Sequence, residues 1–308
     1  FKEKRVDFAV YEVGLGGRLD ATNLIEPLVS AITPVSYEHT DKLGDTLEEI
    51  ATEKCGIIKS NSVCVSAPQE AEALKIIEKI CKDRSTRLIL IGRDIKFKEL
   101  ESNENSNIFD VYGMSGEYPR LKTALIGAHQ VVNAATAIGI AEALSLRNFD
   151  ISPDAVRRGI ESAKWEGRLE VLSRSPLVVV DGAHNRASAR VLADSVRKIF
   201  RDKRITLIFG ASKDKDVKGM LEELFPIANS VILTKSNVIN RALEPDQIKG
   251  LAEKISFGDK NIVITSSIDE ALKKAKLTAE TGDLILVTGS LFIVGEAKGY
   301  YKECVNIT

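Results

Sequence analysis

The sequence predicts an α/β protein of two domains, the second built on a doubly wound, mostly parallel sheet. The 308 residues suffice for two domains that each bury a core. From about Gly167 onward, short apolar strands alternate with helical segments. We place the domains at residues 1–166 and 167–308. The strands predicted in the second domain are Leu177–Val180, Ile205–Phe209, Val231–Thr234, Ile262–Thr265 and Leu284–Val287.

The first domain shows the same mixture of buried strands and amphipathic helices. Val6–Val13 predicts a buried parallel strand that runs into a glycine-rich loop. Asp45 is predicted as the N-cap of a helix, with Glu48 as its capping-box partner and Gly56 ending the helix. Further strands are predicted at Ser30–Val35, Ser62–Ala67 and Arg87–Ile91, helices at Glu70–Lys82, His129–Leu146 and from Ser152-Pro153, and a hairpin ending near Tyr112–Gly113.

Composition and charge favour a soluble globular protein with a small-molecule substrate, and the cysteines favour a cytoplasmic location. The chain is 44% hydrophobic and 28% charged with a net charge of −1, which is typical of soluble globular proteins. The basic residues are scattered, so we expect no nucleic-acid or membrane partner. The four cysteines, Cys55, Cys64, Cys81 and Cys304, are far apart and are predicted to be reduced thiols. We expect a monomer.

The strongest local motif is the glycine-rich segment Glu12–Asn23. A dinucleotide fingerprint read from Gly14 would need its third glycine at Leu19, so that pattern fails. What remains is Glu12 beside a loop whose glycines let the backbone approach a ligand closely. Such a carboxylate could hold Mg²⁺ next to nucleotide phosphates, and the alternative is a plain turn after a strand.

The three histidines, His39, His129 and His184, each lie in a distinctive context. A single histidine is more often a structural hydrogen-bonding residue than a catalyst. His184 is the best candidate for a functional role, because it follows a predicted strand and Asp181 in the loop that enters the next helix. That is where a doubly wound sheet binds its ligands.

Seven motifs in order give the sequence a specific resemblance. They are Glu12–Asn23, Ile50–Lys59, the helix start from His129-Gln130 to Asn133-Ala134, Trp165–Arg168, Asp181–Asn185, Asp214–Asp216 and Gly289–Leu291. Because these motifs occur in this order, the chain resembles the folylpolyglutamate synthase and dihydrofolate synthase family of the Mur ligase superfamily. The resemblance implies an incomplete central ATPase domain of the phosphate-loop type, followed by a Rossmann-like domain that receives glutamate. It implies an ATP-dependent ligase that joins L-glutamate to the carboxylate of a pterin or folate through an acyl phosphate, with ATP and Mg²⁺ as cofactors.

The resemblance also assigns roles to individual residues. Glu12 and His39 match the magnesium ligands, and Lys54 matches a catalytic lysine that is carried as a carbamate and supports the metal. Asn133, Arg168 and Asp181 match the ATP-binding residues. Asp181, His184 and Ser290 match the side that receives glutamate, where His184 is a candidate base. Arg18 and Asp20 lie toward the pterin side.

Each of these residues also has a structural alternative. Lys54 could simply lie favourably near a helix C-terminus. Arg168 could form a surface ion pair, and Asp181 and Ser290 could act as turn and cap residues.

Departures from the family pattern leave other functions open. Glu38 replaces the usual aspartate, and Cys55 replaces a small residue. No Gly-Lys dipeptide occurs, so the phosphate-binding loop is not in these 308 residues. We therefore expect a segment of a longer ligase that is inactive alone. The alternatives are a non-catalytic nucleotide- or pterin-binding protein and a relative of the muramyl-peptide ligases. A dehydrogenase fits poorly, because the second domain has no G-x-G-x-x-G.

Overall fold

The structure, a computed structural model, describes residues 2–255 and 261–305. The chain forms two compact units. The N-terminal unit comprises Phe1–Leu100, Phe109–Leu121 and Val131–Glu161. The C-terminal unit comprises Glu101–Ile108, Lys122–Gln130 and Ser162–Thr308.

Strands and helices alternate along most of the chain, as the fold class requires. The strands are β1 (Val29–Ile32), β2 (Val63–Ser66), β3 (Arg87–Leu90), β4 (Lys96–Ser102), β5 (Asn107–Tyr112), β6 (Glu117–Thr123), β7 (Glu170–Arg174), β8 (Leu177–Val180), β9 (Ile205–Phe209), β10 (Ser230–Leu233), β11 (Asn261–Ile264) and β12 (Leu284–Thr288). The helices are α1 (Thr40–Leu43), α2 (Leu47–Lys54), α3 (Ala71–Asp83), α4 (Ala128–Ser145), α5 (Pro153–Ser162), α6 (Arg186–Ile199), α7 (Val217–Leu224), α8 (Pro245–Ala252), α9 (Ile268–Thr278) and α10 (Leu291–Val305). Within the described residues, no helix is long and apolar enough to cross a membrane.

The N-terminal unit is organised around the parallel sheet β1-β2-β3. Alternate residues of β2 face two different cores, as the two-residue period of a strand requires. Val63 and Val65 pack in a core that includes Ile138 of α4, whereas Cys64 packs in a core with Ile50 of α2 and residues of α3. The sheet is therefore buried on both faces, which is typical of parallel strands. A second three-stranded sheet has the order β4-β5-β6.

Three of the four cysteines lie in the interior of this unit. Cys55, Cys64 and Cys81 are buried free thiols, and they belong to the same core. Burial raises the pKa of Cys55 to about 12, so its thiol stays protonated and packs as a small apolar group. The fourth, Cys304, has its side chain outside the described part of the chain.

The predicted strand at Val6–Val13 is wrong. This stretch is not a strand, and its apolar side chains before Val13 are exposed, Val10 by 93%. The alternation of apolar residues suits a strand, but a strand also needs a neighbouring edge to pair with, and none of the described strands pairs with this stretch. Within this stretch, the ring of Phe8 packs edge-on against Phe149 at 5.2 Å between centroids.

The N-cap of α2 lies one residue beyond the predicted position. Thr46 caps the helix, and its hydroxyl accepts a hydrogen bond from the Glu49 backbone N–H at 3.2 Å. The Glu49 carboxylate accepts the Thr46 N–H in return at 3.1 Å, which completes the capping box. Asp45 and Glu48 have the right residue types for this motif, but the hydroxyl of Thr46 takes the role. The helix ends at Lys54, two residues before Gly56.

The C-terminal unit contains a six-stranded sheet with the order β11-β10-β9-β12-β8-β7. Strands β8 to β12 are parallel, and all five correspond to predicted strands, β8 and β9 with the predicted bounds. The strand β7 was not predicted; it pairs antiparallel with β8 at the edge of the sheet. Its residues, Glu-Val-Leu-Ser-Arg, are too few and too mixed to show a strand period. The parallel pairing of β8 to β12 confirms the predicted doubly wound, mostly parallel sheet.

The helices of this unit are divided between the two faces of the sheet. Residues of α6, α7 and α8 pack on one face, and residues of α9 and α10 pack on the other. Strand β12 lies between β8 and β9, yet it leads to α10, whereas its two neighbours lead to α6 and α7. Adjacent strands whose following helices lie on opposite faces leave a crevice beyond their carboxyl ends, and ligands bind there in such sheets. We call this place the carboxyl-end crevice.

Candidate functional site

Asp181 follows β8 and lies at the carboxyl-end crevice, almost entirely buried. Its two carboxylate oxygens accept backbone N–H groups, from Leu169 at 2.9 Å and from Ala183 at 2.8 Å. Burial raises the pKa of Asp181, while these two hydrogen bonds and the nearby Arg168 and His184 oppose the shift. Asp181 therefore organises the backbone of the loop after β8, and its own carboxyl group lies near the side chains of Arg168 and His184.

Arg168 lies over the backbone of Gly182 in the same crevice. An ideal Cβ placed on Gly182 would be 2.5 Å from Arg168 Nη1 and 2.4 Å from Leu291 Cδ2. No side chain fits at residue 182 unless these neighbours move, so glycine permits the guanidinium and the first residue of α10 to approach the loop. Arg168 also influences the pKa of both Asp181 and His129 by its charge. The guanidinium is thus held beside the loop that Asp181 organises.

His184 has a defined ring orientation. Its Nδ1 lies 2.9 Å from the carbonyl oxygen of Gly182, and because a carbonyl can only accept, Nδ1 carries the proton of the neutral ring. The tautomer therefore leaves Nε2 as the basic nitrogen. The backbone N–H of His184 donates to Ser188 Oγ, which also takes part in the Asn185 capping box of α6. The ring is thus positioned by the start of a helix.

The loops after β12 and β9 complete the crevice. Ser290 is buried, and its Oγ accepts the Phe292 backbone N–H at 3.2 Å. The Ser290 hydroxyl therefore pairs with a backbone donor at the start of α10. After β9, Asp216 caps α7 by accepting the Gly219 N–H at 2.9 Å. Lys215 lies 3.7 Å from the carboxylate of Asp214 and is mostly buried. Arg168, Asp181, His184 and Ser290 therefore occupy one edge of one sheet.

In the N-terminal unit, the glycine-rich loop packs against the end of α2. An ideal Cβ on Gly17 would be 2.7 Å from the carbonyl oxygen of Lys54, and one on Gly56 would be 2.3 Å from Arg18 Cα. Side chains at these two glycines would push the loop away from the helix end. Arg18 donates its backbone N–H to the Glu53 carbonyl and pairs its guanidinium with the Glu53 carboxylate at 2.9 Å. The structure thus brings the loop of Arg18 against the turn that carries Lys54.

Asp20 organises the glycine-rich loop from within. Its carboxylate accepts the backbone N–H groups of Gly14, Leu15 and Thr22, and also the hydroxyl of Thr22 at 2.6 Å. The hydrogen bonds of Thr22 are the main reason why the pKa of Asp20 falls to about 2. Asp20 is therefore an ionised residue that shapes the loop. The sequence-based role on the pterin side stays a prediction.

The predicted metal ligands differ in how well they suit Mg²⁺. Glu12 and His39 are exposed and Lys54 is half-buried, so all three can be reached from solvent. Among the residues that the structure describes, no three histidine, cysteine, aspartate or glutamate side chains are placed to hold a metal ion. The predicted set contains two such residues, and its third ligand is the Lys54 carbamate. A carboxylate and a carbamate supply the oxygens that Mg²⁺ prefers, whereas the imidazole of His39 does not.

The surroundings of His39 and Asn133 are simpler. His39 lies at the start of α1 with a left-handed backbone (φ 52°), 3.6 Å from the carboxylate of Glu38. Asn133 lies on α4 in the N-terminal unit with its side chain exposed. Their roles toward magnesium and ATP stay predictions.

The structure draws attention to His129, to which sequence reasoning gave no role. Its ring is mostly buried, and its Nδ1 has no hydrogen-bond partner among the residues that the structure describes. Burial and, as the smaller cause, the charge of Arg168 together lower the pKa of His129 to about 4. His129 is therefore a neutral, buried imidazole in the electrostatic field of Arg168. Its place at the start of the α4 motif was the only signal in the sequence.

This depressed pKa has a measurable consequence for stability. Between about pH 4 and pH 6.5 the unfolded chain binds a proton at His129 that the folded chain does not, so stability falls as the pH is lowered through this window. From pH 7 to pH 5 we expect a loss of about 2 kcal/mol from this residue. Urea unfolding of the protein and of His129→Asn at both pH values checks this. Equal pH dependence in both proteins would contradict it.

Two family models match the chain. Residues 1–141 match the Mur ligase middle domain, and residues 167–291 match the Mur ligase glutamate ligase domain. The first match contains the glycine-rich loop and Lys54, and the second contains the carboxyl-end crevice.

Similarity to individual proteins shows which branch of the Mur ligases the chain resembles. The chain is 34% identical over 299 residues to the dihydrofolate synthase/folylpolyglutamate synthase of Bacillus subtilis, covering 97% of this chain and 68% of that protein. The structure is similar to the Mycobacterium tuberculosis folylpolyglutamate synthase complexed with ADP and AMPPCP, with a TM-score of 0.87 and 30% identity over 98% of this chain and 70% of that one. It is also similar to Escherichia coli FolC in complex with DHPP and ADP, with a TM-score of 0.82 and 27% identity over 94% of this chain and 65% of that one.

The chain therefore spans about two thirds of the length of these relatives. The sequence-based resemblance to this family is confirmed, and the relatives carry the names of folate synthases rather than of muramyl-peptide ligases. The chain belongs to the folylpolyglutamate/dihydrofolate synthase family of Mur ligases, a family of carboxylate–amine ligases that form ADP and phosphate.

Proposed function

We propose that the protein of which this chain is part joins L-glutamate to the carboxylate of a pterin or folate at the expense of ATP. The observation that carries the proposal is the gathering of Arg168, Asp181, His184 and Ser290 at the carboxyl-end crevice. A cation, a buried carboxylate, a tautomerically defined imidazole and a hydroxyl at one sheet edge suit an amino-acid substrate, whose own groups are an amine and carboxylates. The relatives with the same fold bind ADP, which supports a nucleotide as the second ligand.

The first chemical step activates the acceptor carboxylate. A carboxylate oxygen attacks the γ-phosphorus of ATP, the bond to the bridging oxygen of ADP breaks, and an acyl phosphate forms. Such phosphoryl transfers depend mainly on positioning and on stabilisation of charge. Arg168 suits this task because a guanidinium can donate to two phosphate oxygens at once. Asn133 and Asp181 complete the proposed ATP-binding residues.

The second step forms the amide bond. The amine of glutamate attacks the acyl carbon, loses a proton, and displaces phosphate. The amine must be unprotonated to attack, so a base within reach favours the step. His184 suits this role, since the Gly182 carbonyl accepts a hydrogen bond from its Nδ1 and a neutral ring in this tautomer has its lone pair on Nε2. Asp181 and Ser290 would position the incoming glutamate.

Mg²⁺ would be held by Glu12, His39 and a carbamylated Lys54, and it would neutralise charge on the phosphates of ATP. A neutral lysine amine that adds CO₂ becomes an anionic oxygen ligand. Lys54 is half-buried at the end of α2, where the glycine-rich loop passes its carbonyl group. Arg18 pairs with Glu53, the residue before Lys54. Arg18 and Asp20 would lie toward the pterin.

The direct test is a product assay on the full-length protein as its gene encodes it. The protein is incubated with ATP, MgCl₂, L-glutamate and, in separate reactions, dihydropteroate or tetrahydrofolate, and products are identified by mass spectrometry. We expect a mass increase of one glutamate residue together with ADP and phosphate. ADP binding without any glutamylated product from either acceptor would contradict the proposal. The location in the cytoplasm and the monomeric state stay predictions.

A further inference from the structure

The segment Glu166–Glu170, which carries Arg168, has an unusual backbone. Gly167 has φ 70° and Leu169 has φ 43°, so left-handed residues flank Arg168 on both sides. For leucine this conformation is unfavourable and persists only where the surroundings impose it. Leu169 is 2% exposed and belongs to the core of the C-terminal unit. The position of Arg168 therefore depends on contacts that hold both neighbours in place.

Hydrogen bonds to the backbone hold this segment from two sides. On the side of β8, the Gly182 N–H donates to the Gly167 carbonyl at 2.8 Å, and the Leu169 N–H donates to Asp181 at 2.9 Å. On the other side, the Gly167 N–H donates to a carboxylate oxygen of Glu170 at 2.6 Å. Glu170 thus closes a tight turn around Arg168.

Lys298 on α10 fixes the carboxylates of this turn. Its Nζ lies 2.9 Å from both oxygens of Glu170 and 2.7 Å from Glu166. The lysine side chain is only 13% exposed, and burial opposes its charge, but the bonds to Glu166 and Glu170 outweigh this effect and raise the pKa of Lys298. The lysine end of the ion pair with Glu170 is therefore largely shielded from solvent, and such pairs are costly to break from one side.

The same face of α10 reaches the crevice. Leu291, Val294 and Lys298 are spaced at i, i+3 and i+7, which places them along one side of the helix. Leu291 and Arg168 both approach Gly182, and Val294 Cγ1 would be 3.1 Å from a Cβ at Gly167. Helix α10 therefore contacts the Glu166–Glu170 segment in two places. Val294 approaches Gly167, and Lys298 pairs with the carboxylates of Glu166 and Glu170.

We propose that Lys298 and Glu170 are positioning residues, which hold the Glu166–Glu170 turn so that Arg168 points into the carboxyl-end crevice and engages the nucleotide. This inference rests on the proposed ATP-binding role of Arg168. It assigns a functional effect to two side chains that touch no reacting atom, and one of them lies 130 residues from Arg168 in the sequence.

The first test reads the turn itself. Trp165 is the single tryptophan of these 308 residues, 61% exposed and adjacent to Glu166, so its fluorescence reports on this segment once any tryptophan elsewhere in the full-length protein is replaced by phenylalanine. We expect Lys298→Met to lower the steady-state anisotropy of Trp165. Lys274→Met is the matched control, because it removes an exposed lysine that pairs with Glu270 on α9 of the same unit. Glu170→Gln is the second variant, since it keeps an acceptor for Gly167 and weakens the pair with Lys298.

The second test is a double-mutant cycle on nucleotide affinity, measured by calorimetry with ADP and MgCl₂ on the full-length protein. We expect Arg168→Ala to weaken binding by roughly 10- to 100-fold and Lys298→Met by about 10-fold. Because Lys298 acts through Arg168, Lys298→Met should have no further effect in the Arg168→Ala background. A change that only destabilised the unit would instead add to the effect of Arg168→Ala.

The outcomes separate the two claims. If Arg168→Ala leaves ADP affinity unchanged, the proposed role of Arg168 fails, and the inference falls with it. If Arg168→Ala weakens binding but Lys298→Met and Glu170→Gln do not, only the positioning inference is overturned. Additive losses, or unchanged Trp165 anisotropy in both variants, overturn it as well.

Discussion

Replacing His184 with alanine is expected to lower kcat of the full-length ligase by roughly 100-fold or more while ADP affinity changes little. The reason is that the proposed role of His184 is to accept the proton of the attacking amine, in a step proposed to follow phosphoryl transfer. Steady-state rates at saturating ATP give kcat, and calorimetry gives ADP affinity. A higher pH should recover part of the lost rate in His184→Ala, since more of the glutamate amine is then unprotonated.

The control for this variant is Arg197→Ala, which lies on the same helix and removes an exposed pair with Asp194. It should leave kcat unchanged. Equal losses of kcat and ADP affinity in His184→Ala would contradict the proposed base, and would indicate instead that the loop after β8 had lost its shape.

Replacing Lys54 with arginine is expected to lower kcat by about 100-fold, the cost typical of losing a group that supports a catalytic metal. An arginine keeps the positive charge but cannot form a carbamate, because its guanidinium stays protonated. The substitution therefore separates a carbamate from a simple cation at the end of α2. Growth or incubation with ¹³C-labelled bicarbonate should give a carbamate signal in the native protein by NMR.

Two further variants sharpen the test of Lys54. Lys59→Arg, five residues on, is the matched control, because Lys59 donates to the Asn23 carbonyl, which an arginine can also do. Lys54→Ala should recover activity when acetate or formate is added, since these supply the missing carboxylate oxygens. Full activity of Lys54→Arg would mean that the residue serves as a cation.

The parallel sheet of the C-terminal unit was predictable because each strand carries its own signal. Runs such as Leu-Val-Val-Val at β8 and Leu-Ile-Leu-Val at β12 are buried on both faces, so they are apolar throughout. The carboxyl-end crevice followed from the same pattern, since Asp181 and Ser290 come directly after β8 and β12. Strand β7 escaped prediction because it lies at the sheet edge with half-buried residues that show no period.

Contacts between residues that are far apart in the chain could not be predicted from the sequence. The apolar run Val6–Val13 has the composition of a strand, but no partner strand among the described residues satisfies its backbone, and the prediction failed there. Lys298 and Glu170 are 128 residues apart, and no local pattern marks them as a pair. His129 is recognised as unusual only when the burial of its ring and the nearby Arg168 are known.

We propose that the full-length protein activates the acceptor carboxylate as an acyl phosphate before the amine of glutamate attacks it. The most direct test of this proposal uses an acceptor whose carboxylate carries ¹⁸O, incubated with the full-length protein, ATP, MgCl₂ and L-glutamate. If an acyl phosphate forms, each amide bond made transfers one ¹⁸O from the acceptor to inorganic phosphate. Unlabelled phosphate alongside the glutamylated product would contradict it, because the carboxylate oxygen would then not have been phosphorylated.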